Sequence, residues 1–549
     1  MNVFIGGAWP YANGSLHLGR VSGLLTGDVI ARFYRLTGEK VLYVSGSDCH
    51  GTPISLQANK EGVSPKSIAD RYHEQFRACF TKLGFSYDFY TRTDDPFHAK
   101  VVQSIFLELL EKKVLYKKAV EQTYCINCDR FLPDRYVEGN CPHCGNIARG
   151  DQCDSCSSIL DPLELHHRVC KLCNETPITR LSDHYFLSLS SFQDKLDTYL
   201  SKAEGWRENA IHLTARYLEE GLQDRAVTRD IDLGIDVPLE DGGGKKIYVW
   251  IEAIIGYLSA SKQWAEEQGD PDLWKDFWSD NEVKSYYVHG KDNIPFHTLL
   301  WPALLLGLGD LHLPDHILSS EYLTLEGKKF STSNNWAVWV PYILDHYDPD
   351  AVRYFLIANG PENRDTDFSW REFIYSHNGE LLGAFGNFVH RNLVFVNKVY
   401  NDRIPAGNME ASIQNKLEQL YINSGELIKQ GRLKEALESI FSLIRSCNKY
   451  VDEQKPWVQV KEDTEACKST LFTCVQVIVN LSVLLEPFLP FASNKIRQFF
   501  DLPASDIQWG YTELFAGHEV GPIEVLFQRI DVKQMEIEVE KLKAAKGNG

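Results

Sequence analysis

The chain has 549 residues and a formal net charge of −18, with 44% hydrophobic and 24% charged residues. At about 100–200 residues per domain, this length predicts three to five structural units, and the composition excludes a disordered or collagen-like chain. The acidic balance excludes a protein that coats nucleic acid or anionic membrane through its overall field, so any nucleic acid must bind at local sites.

The N-terminal segment predicts a nucleotide-binding sheet. Residues 3–8 are a short apolar run, and a Pro/Asn/Gly turn and a helical pattern at 16–34 follow it. A second apolar run at 41–44 leads into a polar turn, with helical patterns at 65–83 and 98–114. Alternation of strand and helix predicts a parallel sheet of the Rossmann type.

An insertion interrupts this sheet domain. The composition becomes rich in Cys, Pro, Gly and Asp over residues 124–176, which predicts a separate, turn-rich domain. Strand-like segments at 246–251 and 285–289, with helical runs at 252–268 and 296–306, predict that the parallel sheet then continues.

The last third of the chain predicts a helical bundle. From residue 379 onward, strand signals nearly vanish and apolar residues recur at helical spacing. The apolar segment 475–492 contains polar residues and two prolines, so it is predicted to be a buried helix and not a membrane span. Residues 533–546 predict a charged helix, followed by an exposed tail. Residues 1–13 do not resemble a secretory signal, so we expect a cytoplasmic protein that contacts no membrane.

Eight of the 13 cysteines form four C-x-x-C pairs within a 49-residue window, which favours metal over a disulfide framework. Each pair is half of a zinc-knuckle site, so the four pairs predict two structural sites of four thiolates each. Spacing alone permits sequential pairing, and His166 and His167 are less favoured ligands. The pairs are Cys125/Cys128, Cys141/Cys144, Cys153/Cys156 and Cys170/Cys173.

Two loops have the composition of a phosphate site. Residues 8–20 read AWPYANGSLHLGR, at the predicted start of a helix whose free amides suit an anion. Residues 327–333 read GKKFSTS, a basic and hydroxyl-rich loop. Each loop alone is weak support, because a His beside Gly is usually a cap and a lysine pair is usually a solvated turn. Together, about 310 residues apart and flanking one split nucleotide-binding fold, they strongly predict a phosphate-binding site.

This combination resembles the two signature loops of class I aminoacyl-tRNA synthetases, and further segments narrow the resemblance to the methionyl-tRNA synthetase family. The segments span nearly the whole chain: 8–14 (AWPYANG), 48–53 (DCHGTP), 131–135 (FLPDR), 248–253 (YVWIEA), 290–292 (GKD) and 452–457 (DEQKPW). The resemblance implies a methionine--tRNA ligase. Such enzymes form methionyl-adenylate from ATP and L-methionine, with Mg²⁺ accompanying ATP, and then charge initiator and elongator methionine tRNA. The lack of an appended C-terminal dimerisation module predicts a monomer.

Two alternatives remain open. Arg20 stands where the family more often has His, and Thr332 stands where it usually has a second Lys. The chain could therefore be a catalytically impaired tRNA-binding paralogue. The nearer alternative is a synthetase for another apolar amino acid, although the short insertion leaves no room for the long editing insertion of the isoleucine, valine and leucine relatives.

The resemblance also implies site residues, position by position. Catalysis falls to His17, Arg20 and Lys329. ATP binding falls to His17, Gly19, Arg20, Gly290, Asp292, Lys329, Ser331 and Thr332. Methionine binding falls to Ala8, Trp9, Tyr11, Asp48, Trp250, Ala253, Ile254, Tyr257 and His297. Anticodon binding falls to Asn387, Arg391 and Trp457. Zinc binding falls to the eight paired cysteines, with the two inner pairs sharing one ion and the two outer pairs the other.

The chemistry of these residues suits the implied roles. Asp48 would pair with the α-ammonium of methionine, and aromatic rings pack well against the thioether. Asn387 and Arg391 are predicted on one exposed helix face, and the indole of Trp457 would stack on an unpaired base. Without the resemblance, Trp250 and Tyr257 would be ordinary core residues, and Trp457 a half-buried residue near a helix cap.

The predicted fold class is α/β, with a split Rossmann-type parallel-sheet catalytic domain, a zinc-knuckle insertion and a following α-helical bundle domain. The predicted domains are the first catalytic half (1–116), the inserted connective domain (117–230), the second catalytic half (231–322), a stem-contact domain with the second signature loop (323–378), the anticodon-binding bundle (379–535) and a charged C-terminal tail (536–549).

Overall fold

The structure is a computed structural model that describes residues 1–133, 136–150, 153, 155–156, 160–240, 242–279, 282–332, 335–503, 505 and 507–546. Asp134, Arg135 and Ser333, which belong to segments named above, lie outside the described residues, as do residues 547–549 of the predicted tail.

The strands, numbered in chain order, are β1 (Asn2–Gly7), β2 (Lys40–Ser47), β3 (Phe89–Arg92), β4 (Leu115–Cys125), β5 (Arg130–Phe131), β6 (Val137–Asn140), β7 (Ile147–Arg149), β8 (His166–Cys170), β9 (Ile178–Leu187), β10 (Arg225–Ala226), β11 (Thr228–Arg229), β12 (Lys246–Ile247), β13 (Val283–Gly290), β14 (His316–Ser320), β15 (Leu323–Leu325), β16 (Lys328–Lys329) and β17 (Thr366–Phe368).

The α-helices are α1 (Leu18–Leu36), α2 (Thr52–Glu61), α3 (Pro65–Leu83), α4 (Pro96–Glu111), α5 (Gln193–Leu200), α6 (Glu208–Glu220), α7 (Val249–Glu267), α8 (Trp301–Leu308), α9 (Val340–His346), α10 (Pro349–Ala358), α11 (Trp370–Ser376), α12 (Asn387–Tyr400), α13 (Ala411–Lys429), α14 (Leu433–Gln454), α15 (Pro456–Glu462), α16 (Thr464–Leu484), α17 (Pro490–Phe499) and α18 (Gln534–Lys546). π-Helical segments Phe296–Leu300 and His377–Gly386 lead into α8 and α12.

A parallel sheet with the strand order β14-β13-β1-β2-β3 forms the catalytic domain, which confirms the predicted α/β class. The direction of the strand order reverses beside β1, which pairs with β2 on one side and β13 on the other. In such sheets the crevice beyond the carboxyl ends of the strands at this reversal is the usual ligand site. Gly7 and Gly290 end the two strands there.

The strand predicted over residues 246–251 is wrong. Only Lys246–Ile247 is extended, and it pairs antiparallel with β11, outside the parallel sheet. From Val249 the chain is helical, because Ile251, Ile255 and Leu258 recur at helical spacing and are buried in the core beneath the sheet. Tertiary packing thus overrides the strand preference of Val, Ile and Trp.

Helix α1 joins the catalytic sheet to the helical bundle. It is buried on most of its sides, including its polar residues Ser22, Thr26 and Asp28, and its apolar residues belong to one continuous core with those of the bundle. At its end, the Phe33 ring meets the Trp509 ring edge-on at 4.9 Å. Asp28 of α1 forms a fully buried ion pair with Arg353 of α10, at 2.7 Å. Loss of Asp28 would leave the buried Arg353 without its ionic partner, so the two regions are held in fixed relation.

The predicted connective domain, residues 117–230, is not one unit. Strands β4, β5, β9 and β10 form one antiparallel sheet, and β6, β7 and β8 form a smaller one around the cysteines. Leu189 and Trp206, which lie later in the range, are instead buried in the same core as Phe4 of β1. Part of this range thus packs with the catalytic sheet, although β10 near its end still pairs with β9.

The described chain from residue 379 onward is helical, as predicted, but two details differ. The apolar segment 475–492 is not one helix, because α16 ends at Leu484 and α17 begins at Pro490. By length and composition α16 could cross a membrane, but 89% of its most apolar window is buried inside the protein, as in a core helix. In the predicted tail, Glu538 and Leu542 of α18 are buried.

Candidate active site

The two signature loops are in direct contact. The imidazole of His17 stacks on the ring of Phe330, with centroids 4.8 Å apart and planes 16° apart. Beyond the second loop, the Val338 carbonyl accepts from the Leu18 amide at 3.1 Å, and the Val340 amide donates to the Leu16 carbonyl at 2.8 Å. Two segments about 310 residues apart thus form one wall of the crevice.

His17 lies at the N-cap of α1 without making a side-chain cap bond. Burial, and then the charge of Arg20, lower the pKa of His17 to about 3, so the ring is neutral at pH 7. Its Nδ1 atom is buried and has no hydrogen-bond partner among the described residues. A Cβ at Gly19 would lie 3.1 Å from His17 Nδ1 and 3.3 Å from Phe330, so only glycine leaves this stack undisturbed. At the start of α1, the Leu18 and Arg20 amides donate to the Val338 and His17 carbonyls, which leaves the Gly19 amide for phosphate.

Arg20 holds the first loop and supplies permanent charge. Its guanidinium donates to the Tyr11 carbonyl at 3.4 Å. Burial lowers the pKa of Arg20, but an arginine keeps its proton in proteins. The structure therefore places a cation in the first turn of α1, where the family more often has His.

The second signature loop begins as a β-hairpin. Strand β16 pairs with β15 and exposes both of its lysines. Lys328 lies 5.0 Å over the Trp336 ring, whereas Lys329 has no carboxylate partner among the residues that the structure describes. Ser331 pairs with Trp336 through the backbone, and Thr332 is exposed. Lys328 has no carboxylate partner among the described residues either, so both lysines of the loop remain available to an anion, and Lys329 is the one to which the resemblance assigns catalysis.

Asp48 lies beside the first loop. Its amide donates to the Pro10 carbonyl at 2.9 Å, and its carbonyl accepts from the Ala12 amide at 2.8 Å. The carboxylate is buried and accepts a hydrogen bond from the His50 amide at 3.1 Å. Burial, and then the negative charge of Glu252, raise the pKa of Asp48 well above its ordinary value. A bound ammonium group would supply the charge that this site lacks.

The pair His50 and Glu252 lies behind Asp48 and was missed by the sequence analysis. His50 Nδ1 is 2.8 Å from Glu252 Oε1, and the glutamate is fully buried. Burial lowers the pKa of His50, but the charge of Glu252, its hydrogen bond and the charge of Asp94 together outweigh burial, and the net shift is upward. Both residues stand in segments that carry the resemblance, so their motif positions were the available signal.

Tyr257 and His297 form a buried polar pair. His297 Nδ1 lies 2.8 Å from the Asn293 carbonyl, which can only accept, so Nδ1 carries the proton. The Tyr257 hydroxyl then donates to Nε2 at 2.9 Å. Burial lowers the pKa of His297 to about 4, which keeps the ring neutral. A Cβ at Gly6 would lie 3.0 Å from the Tyr257 ring, so β1 must have glycine here.

Aromatic rings line the same part of the crevice. The Trp250 indole donates to the Tyr11 hydroxyl and meets the Phe296 ring edge-on at 4.5 Å. The Trp9 indole fills the space over two glycines, because a Cβ at Gly46 would lie 2.6 Å from it and one at Gly256 2.7 Å. These two glycines accommodate the large residue at position 9.

The remaining predicted pocket residues lie around these rings. The Ala8 amide donates to the Val288 carbonyl at 3.0 Å, which fixes the start of the first loop to β13. Ala253 is half-buried on α7. Ile254 is buried in the core between α7 and the sheet.

The turn after β13 carries Gly290 and Asp292. A Cβ at Gly290 would meet no atom within 4 Å, so the backbone is open to a ligand. Asp292 is exposed and accepts a bond from the Tyr322 hydroxyl. Lys291 forms ion pairs with Glu321 at 2.6 Å and Asp365 at 2.8 Å.

The eight paired cysteines form two compact groups in the nested arrangement implied by the resemblance. Facing sulfurs lie 3.4 and 3.9 Å apart in the outer group, and 3.8 and 3.5 Å apart in the inner group. Zinc–sulfur bonds of about 2.3 Å place tetrahedral ligands about 3.8 Å apart, so the residues fit the ion. His166 and His167 belong to neither group. The outer group is Cys125, Cys128, Cys170 and Cys173, and the inner group is Cys141, Cys144, Cys153 and Cys156.

The predicted anticodon residues flank the end of α14. Arg391 is not freely exposed as predicted, because Asp452 at 3.0 Å and the Asn448 side chain at 3.0 Å hold its guanidinium. Asn387 is exposed, one turn before it on α12. Trp457, at the start of α15, is 47% exposed, more than a core residue would be.

Comparison with known proteins decides the family. Residues 3–393 match the model of class I tRNA synthetases (M), and residues 403–546 match the anticodon binding domain of methionyl tRNA ligase. The chain belongs to the methionyl-tRNA synthetase family. The division between the two matched regions falls at the end of α12, later than the predicted boundary at residue 379.

Curated relatives and solved structures agree with this family. Methionine--tRNA ligase of Bacillus cereus strain Q1 is 56% identical over 548 residues, which cover 99% of this chain and all of the relative. Methionine--tRNA ligase 2 of Bacillus anthracis has the same identity and coverage. A crystal structure of Mycobacterium tuberculosis methionyl-tRNA synthetase bound by methionyl-adenylate has the same fold, with a TM-score of 0.80 at 22% identity over 96% of this chain and all of that chain.

In this synthetase, predicted site residues that are far apart in the sequence lie close together. The structure joins Tyr11 to Asp48 and Trp250, and Tyr257 to His297, at one end of the sheet. The two predicted loop groups meet through His17, as the resemblance to class I synthetases implies. The predicted family and fold class are therefore confirmed.

Proposed function

We propose that this chain activates L-methionine with ATP and transfers the methionyl group to methionine tRNA. The single observation that carries the proposal is the contact of the two signature loops beside Asp48, a buried carboxylate with no cation near enough to pair with it among the described residues. A site with phosphate-binding groups on one side and an unpaired acid on the other suits a substrate pair of ATP and an amino acid.

Activation requires in-line attack of the methionine carboxylate on the α-phosphate of ATP. The enzyme must align two anions and stabilise charge that grows on the departing pyrophosphate. The Gly19 amide beside neutral His17 and the Arg20 cation would hold phosphate, and Lys329 would meet the departing group. Mg²⁺ bound with ATP supplies further positive charge to the phosphates.

Methionine would bind between Asp48 and the aromatic rings. Its ammonium would pair with the buried carboxylate, and its thioether would pack against Trp250 and Tyr257. His297 is neutral and accepts a hydrogen bond from the Tyr257 hydroxyl. This pair therefore presents no charge to the apolar side chain of methionine. The site thus offers charge at one end and polarizable surface at the other.

Anticodon reading is proposed for the surface around Trp457, with Asn387 and Arg391. Loss of one stacked base costs about 1–3 kcal/mol, so Trp457→Ala is expected to lower charging efficiency about 5–150-fold. Pyrophosphate exchange without tRNA should be unchanged, because the chemistry lies in the sheet domain. Phe515→Ala, an exposed aromatic in the same domain, is the control. If Trp457→Ala still prefers methionine tRNA over an anticodon-substituted transcript as strongly as the parent, the assignment fails.

Both cysteine groups are proposed to bind Zn²⁺. Protein purified without added metal should contain about two ions per chain, the number that eight thiolates allow at four per ion. Cys141→Ser should lower this to about one and reduce charging more than exchange, because it misplaces the insertion without touching the chemistry. Cys79→Ser, outside both groups, should retain two ions. A metal content near zero in folded parent protein would contradict the proposal.

Charging of methionine tRNA with labelled methionine tests the function directly. The parent protein should form methionyl-tRNA in the presence of ATP and Mg²⁺. Binding of tRNA without charging would favour the impaired paralogue and would contradict the proposal.

A further inference from the structure

Tyr322 lies between β14 and β15, at the carboxyl edge of the parallel sheet, and has no role in the function proposed above. Its side chain is 38% exposed, so it does not serve mainly to fill the core. The Tyr322 amide donates to Asp365 at 2.8 Å, which fixes the backbone. The ring therefore projects from an anchored position beside the crevice.

Three side chains at or beside the proposed ATP site contact Tyr322. The ammonium of Lys291 lies 3.9 Å from the ring centroid, and that of Lys329 lies 6.0 Å from it. The hydroxyl donates to the Asp292 carboxylate. Tyr322 thus contacts both the turn after β13 and the second signature loop, which no backbone pairing joins among the described residues.

The two lysines on the ring differ in what else holds them. Lys291 is neutralised by the carboxylates of Glu321 and Asp365. Lys329 has no carboxylate partner among the described residues, so the ring face is the negative surface offered to it. An aromatic face attracts an ammonium group without cancelling its charge, as a carboxylate would. This arrangement restrains Lys329 and leaves it able to bind phosphate.

We propose that Tyr322 is a positioning residue for ATP, which holds Asp292 through its hydroxyl and Lys329 through its ring. The inference rests on the proposed function, because it assigns Tyr322 a part in adenylate formation. The two contacts are separable: phenylalanine keeps the ring but not the hydroxyl, and leucine removes both.

The experiment measures kcat and KM for ATP in pyrophosphate exchange at saturating methionine, together with KM for methionine and the melting temperature. Tyr322→Phe should raise KM for ATP about 3–10-fold with little change in kcat, because only the bond to Asp292 is lost. Tyr322→Leu should add a fall in kcat of about 2–5-fold, the size of one exposed cation–π contact. KM for methionine should stay constant in both.

Tyr375→Leu is the matched control, since Tyr375 is exposed with Arg371 5.7 Å over its ring but lies on α11, away from the proposed ATP residues. Exchange by the parent with unchanged ATP kinetics in Tyr322→Phe and Tyr322→Leu would overturn the inference and leave the proposed function standing. No exchange by the parent would instead contradict the proposed function. If Tyr322→Leu melts earlier, Tyr322→Phe alone decides, and an unchanged KM for ATP overturns the inference.

Discussion

Replacing Asp48 with alanine is expected to lower kcat/KM for methionine about 10²–10⁴-fold in pyrophosphate exchange. An ammonium left unpaired in a largely dry pocket costs about 3–5 kcal/mol. KM for ATP should change little, because Asp48 does not belong to either signature loop. Asp48→Asn has nearly the same shape and can still accept from the His50 amide. If the negative charge is what binds methionine, Asp48→Asn should lower kcat/KM almost as much as Asp48→Ala. Retained activity in Asp48→Asn would show that methionine binding does not depend on an ion pair.

The pH dependence of methionine binding follows from the same carboxylate. Burial and the Glu252 charge raise the pKa of Asp48, so its unliganded form keeps a proton to higher pH than an ordinary aspartate. Only the deprotonated form attracts an ammonium group, so methionine affinity should rise with pH through this pKa. Asp48→Asn should lose that rise. An affinity that falls as pH increases from acid toward neutral would contradict the assigned charge state.

Lys329→Ala is expected to slow adenylate formation about 10²–10³-fold with little change in methionine affinity. Its charge is needed mainly as pyrophosphate departs, so the loss should appear in the rate and not in binding. Single-turnover measurement of adenylate formation separates the two. Lys328→Ala, the adjacent lysine that lies over Trp336, is the matched control and should be nearly unchanged. Equal losses in both variants would show that the loop needs general positive charge and not a specific cation.

Thr332→Lys extends the same reasoning. Thr332 is exposed, so lysine can enter without displacing core residues. Restoring the commoner family pattern should leave activity intact or raise it. A severe loss would indicate that Arg20 and Thr332 form a matched variant pair.

Motifs whose chemistry is local could be predicted from the sequence. The C-x-x-C spacing fixes the ligand type and number, and the structure confirms the nested pairing that the resemblance implied. Residues 8–20 and 327–333 have the turn residues and charges of anion-binding loops. The stacking of His17 on Phe330 shows that the two loops meet. Each motif can be recognised before the fold is known, because its chemistry depends on a few residues that are close together in the sequence.

Contacts between distant segments could not be predicted. His50 and Glu252 are 202 residues apart, and no spacing rule relates them. Residues 246–251 have the composition of a strand, but burial of Ile251 and Ile255 against the sheet makes most of them helical. In α18, Glu538 accepts hydrogen bonds from Tyr342 at 2.8 Å, so a segment predicted as tail is partly buried. Each case depends on a contact with residues that are distant in the sequence, which the local pattern cannot indicate.

Pyrophosphate exchange with each of the twenty amino acids tests the central claim most directly. The pocket built from Asp48, Trp250, Tyr257 and His297 predicts exchange with methionine alone. Exchange driven best by another apolar amino acid, or no exchange with any of them in protein that still binds tRNA, would contradict it.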